Sequence, residues 1–141
     1  MTIAVDFDGT IVEHEYPEIG KELPFAIDTL KMLQKEGHQI ILFTSREGEL
    51  LDAAVEFCRE RGLEFYAVNS NQPEDALYQR HTTKVIADVY IDDHNLGGIP
   101  EWGDIYAMLG GRYRRDSGTA PVRHHHRKHS HRHKFRWPWQ K

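Results

Sequence analysis

Three clusters of acidic and hydroxyl side chains, each directly behind a short apolar run, stand out in this 141-residue chain. Asp6-Phe7-Asp8-Gly9-Thr10 follows Ile3-Ala4-Val5. Thr44-Ser45-Arg46 follows "QIILF", and Asp92-Asp93-His94-Asn95 follows "DVYI", with Lys84 shortly before it. Carboxylates at this density suit a hard cation. Magnesium takes oxygen ligands, keeps several waters, and needs only one or two carboxylates beside a substrate phosphate. Without a cation, Asp6, Asp8, Asp92 and Asp93 would repel a phosphate monoester dianion. With one, and with Lys84, charge on a transferring phosphoryl group is offset. Asp6 could then attack phosphorus in line and form an aspartyl phosphate. Asp8 could protonate the leaving oxygen and later activate water. Their spacing of two lets both carboxylates project to one side while the backbone stays extended.

Each cluster alone has a plain structural reading, because Asp, Ser, Thr and Gly behind a strand also cap helices and form turns. Rival chemistries fail on the letters. A calcium loop of the D-x-D-x-D-G type started at Asp6 would need Gly and Glu where Ile11 and Pro17 stand. The chain has no G-x-x-x-x-G-K-[ST] loop, and no G-x-G-x-x-G follows a strand. Cys58, the single cysteine, falls on the apolar face of a helical pattern and reads as packing. It excludes an internal disulfide framework and suits a reducing compartment.

The elements that must position these clusters alternate in type. Ile3–Val5, Gln39–Phe43, Phe65–Val68 and Asp88–Ile91 read as strands. Helices are expected from Pro24 to Gly37, from Glu47 to Arg61, and from Pro100 through Leu109. The strands are apolar in continuous runs, which points to a parallel α/β sheet covered on both faces. In such sheets ligands sit outside the carboxyl ends of the strands, where all three clusters fall.

Composition divides the chain. Residues 1–111 carry 8 Lys/Arg against 21 Asp/Glu, a formal charge of −13. Residues 112–141 carry 10 Lys/Arg and only Asp116, a formal +9, with six of the ten histidines. We read a folded acidic domain, 1–111, and a basic, His-rich C-terminal tail, 112–141. The tail admits a nucleic-acid reading, since Lys and Arg neutralise phosphates and Trp137 and Trp139 can stack on bases. It equally admits weak metal chelation or a solvated extension. A docked tail, drawn back to the acidic domain and partly lidding the site, is a further expectation. No run of residues approaches a membrane span, and the N-terminus lacks a signal-peptide pattern, so a cytoplasmic location is expected.

Taken in order, "VDFDGT", "ILFTS", and a Lys ahead of "DVYIDD" resemble the four motifs of haloacid-dehalogenase-like phosphatases, over residues 2–109. The resemblance implies a Rossmann-like sandwich of helices about a sheet ordered 3-2-1-4. It implies Asp6 as nucleophile and magnesium ligand, and Asp8 as acid/base with its backbone carbonyl on the metal. Thr44 would bind the phosphoryl oxygen, and Lys84 would stabilise it. Asp92 and Asp93 would hold magnesium, Asp93 by direct coordination. Members that act as dehalogenases lack the second aspartate, so Asp8 favours a phosphatase. Residues 11–23 and 69–83 leave room only for a flap and a short helix, as in capless members. An open site of that kind suits either a macromolecular phosphate or an oligomer whose neighbouring subunit supplies the lid. The expected substrate is a sugar phosphate or other small phosphate ester, with a polynucleotide or nucleotide end as the alternative. A non-catalytic phosphoryl-binding scaffold is the alternative from another class, and the set Asp6, Asp8, Thr44 and Lys84 argues against it. Arg46, His94 and Asn95 are candidates to touch the leaving group, with Gly9, Thr10 and Ser45 as further substrate-binding positions.

Overall fold

The computed structural model describes residues 1–76 and 84–110. Four strands, β1 (Thr2–Val5), β2 (Gln39–Leu42), β3 (Ala67–Val68) and β4 (Val89–Ile91), form one parallel sheet in the order β3-β2-β1-β4. Three helices, α1 (Ala26–Lys35), α2 (Gly48–Glu60) and α3 (Trp102–Leu109), flank it. The architecture is the parallel α/β sheet expected from the alternation of elements, in the Rossmann-like order that the motif resemblance implies. The basic tail expected over 112–141, and its proposed docking, lie outside the described residues. Among the described residues no helix is long and apolar enough to cross a membrane.

Side chains alternate across the strands, and the two faces meet different cover. Ile3 and Val5 of β1 and Ile40 and Leu42 of β2 belong to a large cluster with Leu30 and Leu33 of α1, Ala54 and Cys58 of α2, and Trp102 and Ile105 of α3. Ala4, Ile41 and Ala67 point the other way, into a small cluster closed by Val85 and flanked by Phe43, Tyr66 and Tyr90. Parallel neighbours are joined by right-handed crossovers. The β1-α1-β2 and β2-α2-β3 units therefore place α1 and α2 on one face. In the return from β3 to β4, Val85 packs into the small cluster on the opposite face. Among the described residues that return contains only the short 3-10 turn Pro73–Ala76 and the stretch from Lys84.

Helix starts run later than the sequence suggests. Phe25 sits at φ 64, so α1 begins at Ala26 rather than at Pro24, and α3 begins at Trp102 rather than at Pro100. β3 shrinks to two residues, although the Tyr66 N–H still donates to the Ile40 carbonyl at 2.8 Å. Cys58 is fully buried in the large cluster, and burial pushes its thiol up to about 12. It is a packing residue.

Candidate functional site

The sheet register builds the site. Val5 pairs with Leu42 on one side and Ile91 on the other, so the residues after these three positions leave the sheet side by side. The Asp6 N–H donates to the Ile91 carbonyl at 3.0 Å, and the Phe43 N–H donates to the Val5 carbonyl at 2.8 Å. Asp6 is thereby fixed between Asp92 and Phe43. Phe7 is fully buried and meets Phe57 of α2 edge to face, 5.9 Å between ring centroids. Its carbonyl accepts from the N–H groups of Thr10, Ile11 and Val12, which closes a tight loop directly after the strand.

Asp6, Asp92, Asp93 and His94 each offer one ligand atom, and these atoms all lie within 4.8 Å of one another. Three of the four are carboxylates, the oxygen donors a magnesium ion prefers, so the side chains fit that cation. Burial pushes the Asp6 carboxyl up to about 6. Its hydrogen bond from the Phe7 backbone lowers it, and the charges of Asp92, Asp93 and Asp8 raise it further. The cluster thus holds negative charge at a cost that a divalent cation would relieve.

Gly9 and Thr10, expected at the substrate, pack against Asp93 of this cluster. Gly9 has φ +79, and a Cβ built there would lie 2.3 Å from Asp93 Oδ2. The loop needs Gly both for its dihedral and for the close approach of that carboxylate. The buried Thr10 hydroxyl donates to Asp93 Oδ1 at 3.3 Å and accepts from the Asp93 N–H at 3.1 Å, while the Thr10 carbonyl accepts from Trp102 Nε1 at 3.0 Å. Gly9→Ala should therefore displace Asp93 and cost about 1–3 kcal/mol. Urea denaturation, together with calorimetric titration of magnesium, checks both effects.

Asp8 lies outside the four-ligand cluster. Its carboxylate accepts two parallel bonds from the guanidinium of Arg46: Nε to Oδ2 at 2.6 Å and Nη2 to Oδ1 at 2.7 Å. Arg46 is 1% exposed. Its remaining N–H groups donate to the carbonyls of Pro17 (3.2 Å), Glu18 (2.8 Å) and Leu50 (3.4 Å). The guanidinium lies 5.2 Å from the ring centroids of both Phe7 and Tyr16. Its charge and donors are spent inside the protein, so Arg46 is not a leaving-group contact. It ties the loop after β1 to the 13–22 flap, which is itself anchored by the Val12–Glu22 bridge and the Glu13 N–H to Lys21 carbonyl bond.

Thr44 is buried at the cleft wall. Its N–H donates to Asn69 Oδ1 at 2.9 Å, and its hydroxyl accepts from the Arg46 N–H at 3.2 Å, which leaves the hydroxyl hydrogen to donate. Ser45 and His94 are exposed at the cleft mouth. His94 Nδ1 is 3.0 Å from Asp93 Oδ1, and its N–H donates to Asp92 Oδ1 at 2.8 Å. Asn95 is turned away: its amide donates to the Tyr90 carbonyl at 3.2 Å, and it lines a separate pocket of about 300 Å³ against α3. Lys84 is exposed, with Nζ 5.3 Å from the Tyr90 ring centroid, and it does not line the cleft.

The cleft itself measures about 480 Å³ and is walled by Asp6, Asp8, Asp92 and Thr44, with Tyr16, Phe43 and His14 around them. The last three escaped sequence reasoning. Phe43 read as the end of a strand, which it follows by one residue. Tyr16 and His14 lie in a flap whose folding over the site no periodicity announces.

No protein-family model matches the chain, and no curated protein does. Among solved structures, a conserved protein from Bacteroides thetaiotaomicron is 59% identical, with a TM-score of 0.72, over 84% of this chain and 93% of that one.

Proposed function

The chain belongs to the same family as that conserved Bacteroides protein, and from its site we propose that it is a magnesium-dependent phosphomonoester hydrolase of the haloacid-dehalogenase-like type. One observation carries the reading: Asp6, Asp92 and Asp93 converge with His94 at the carboxyl edge of the parallel sheet, beside an open cleft.

In this reading Asp6 is the nucleophile. Its carboxylate oxygen forms a bond to phosphorus while the bond from phosphorus to the ester oxygen breaks. Water then releases inorganic phosphate from the aspartyl phosphate and restores the carboxylate. A carboxyl poised near 6 is largely ionised at neutral pH, as attack requires. Asp6, Asp92 and Asp93 would hold a magnesium ion, which would supply the positive charge against which a phosphate dianion can approach these carboxylates. Thr44 donates its hydroxyl to a phosphoryl oxygen. Both Asp8 oxygens accept from Arg46, so Asp8 acts as acid/base by releasing one Arg46 donor and taking up a proton at that oxygen, which it passes to the leaving ester oxygen and regains from the attacking water. The reading is supported by the motif resemblance and the fold. Lys84 stands outside the cleft here, so charge offset rests on the cation.

A panel of phosphate esters (sugar, aryl, nucleotide, amino-acid and oligonucleotide-end), run with and without magnesium, tests the proposal. Excess chelator should silence release, and magnesium should restore it. Asp93→Ala should weaken magnesium activation far more than Ser45→Ala, read from the magnesium concentration at half-maximal rate. Full activity in chelator would refute the metal assignment.

A further inference from the structure

The described walls of the cleft bear three carboxylates and no available Lys or Arg. Arg46, whose guanidinium pairs with Asp8, is consumed by Asp8 and by the carbonyls of Pro17, Glu18 and Leu50. A second phosphate on the substrate, or a phosphodiester backbone, would meet negative charge with no fixed counter-charge among the described residues. What the cleft does offer is aromatic surface. Tyr16 is exposed and lines the cleft. It is backed by the Arg46 guanidinium at 5.2 Å, which the bonds above hold in place. Phe43 is half-buried, and its ring is tilted against Tyr90 with 6.5 Å between centroids. Both rings are braced from behind and open toward the cleft, so a planar group can settle on them with little side-chain entropy to lose.

We infer that the cleft is built for a phosphate monoester carrying a single phosphate and a neutral aromatic or heteroaromatic leaving group, which rests on Tyr16 and Phe43 while the phosphoryl group meets Asp6. The inference rests on the phosphoryl-site reading above. It narrows the substrate class from phosphate esters in general to ring-bearing monophosphates, and it separates them from polynucleotide ends. Tyr16 and Phe43 are specificity-determining residues in this account.

Equilibrium binding to the full chain with magnesium, measured by calorimetry, tests it without depending on turnover. The probes are benzylphosphonate, propylphosphonate and a 5′-phosphorylated oligonucleotide. Benzylphosphonate should bind roughly tenfold tighter than propylphosphonate. Phe43→Leu and Tyr16→Leu, which keep apolar bulk and remove the ring, should each shrink that ratio several-fold. Phe43→Leu keeps the test decisive if loss of Tyr16 loosens the flap. The ratio of kcat/KM for phenyl phosphate over glycerol 2-phosphate should fall in the same variants. Equal affinity for the two phosphonates overturns the ring inference and leaves the phosphoryl site standing. Binding of neither, with no ester turned over, overturns the phosphoryl site itself and this inference with it. An oligonucleotide bound more tightly than benzylphosphonate, with steep salt dependence, overturns the inference in favour of a nucleic-acid end.

Discussion

Asp6→Asn is expected to lower phosphate release by about 10³-fold or more while the protein stays folded, because a carboxamide cannot form and release the acyl phosphate. The same variant has a signature that needs no substrate. In the folded protein Asp6 titrates near 6, against 3.8 for an unperturbed group, chiefly because it is desolvated and secondarily because Asp92, Asp93 and Asp8 crowd it. A raised carboxyl binds protons more tightly in the folded state, so folding is favoured below the unfolded value. That advantage is lost as pH rises through the folded value. In chelator, Asp6→Asn should therefore melt above the native protein at pH 7 and close to it at pH 4. Magnesium should reverse the order at pH 7, since it binds the native cluster better. Thermal melts at the two pH values, with and without magnesium, check this. Unchanged phosphate release from the variant would end the aspartyl-phosphate mechanism. A pH-independent difference in melting would mean that Asp6 is not held as the geometry indicates.

Arg46→Met should be the most destabilising single change at the site. It removes a buried cation and leaves the Asp8 carboxylate, 8% exposed, with neither of its two donors. Breaking a buried pair from one side costs about 3–5 kcal/mol, which in a domain of this size lowers Tm by roughly 15 °C. Three carbonyls lose donors as well. Asp8→Leu combined with Arg46→Met should recover much of that loss, because replacing both charges removes the stranded one. A double mutant no more stable than Arg46→Met alone would show that the flap bonds, rather than the ion pair, carry the stability. Denaturant midpoints of the two single variants and the double variant decide between them.

These two residues also mark what could be read from the letters and what could not. Asp6 and the Asp92-Asp93 pair were legible because each group stands directly after an apolar run. In a parallel sheet, successive strands deliver their carboxyl ends to one edge. The strand order was legible only through the motif resemblance. Arg46 was misread as facing the leaving group because its loop position is indeed at that edge. Its true partners are the carboxylate of Asp8, 38 residues away, and main-chain carbonyls 28 and 29 residues away, which no residue type reveals. Thr10 and Asn95 failed for a related reason. A polar side chain behind a strand can turn back to bond its own framework, as Thr10 does to Asp93 and Asn95 to the Tyr90 carbonyl. Only the backbone path decides which way it turns. The late start of α1 follows from the left-handed Phe25, a conformation that side-chain periodicity does not register.

The guanidinium of Arg46 holds the flap by the carbonyls of Pro17 and Glu18, and the one flap side chain it is stacked with is Tyr16. Every residue brings a carbonyl, so the exposed positions His14, Glu15 and Glu18 can be exchanged by mutation without loosening the grip. Arg46 and Asp8 have no such freedom, since either alone strands the other. Sequence drift is thereby channelled toward the mouth of the cleft and away from its floor. A lineage carrying this loop can explore new esters by single steps at the flap while the carboxylates that would do the chemistry stay in register.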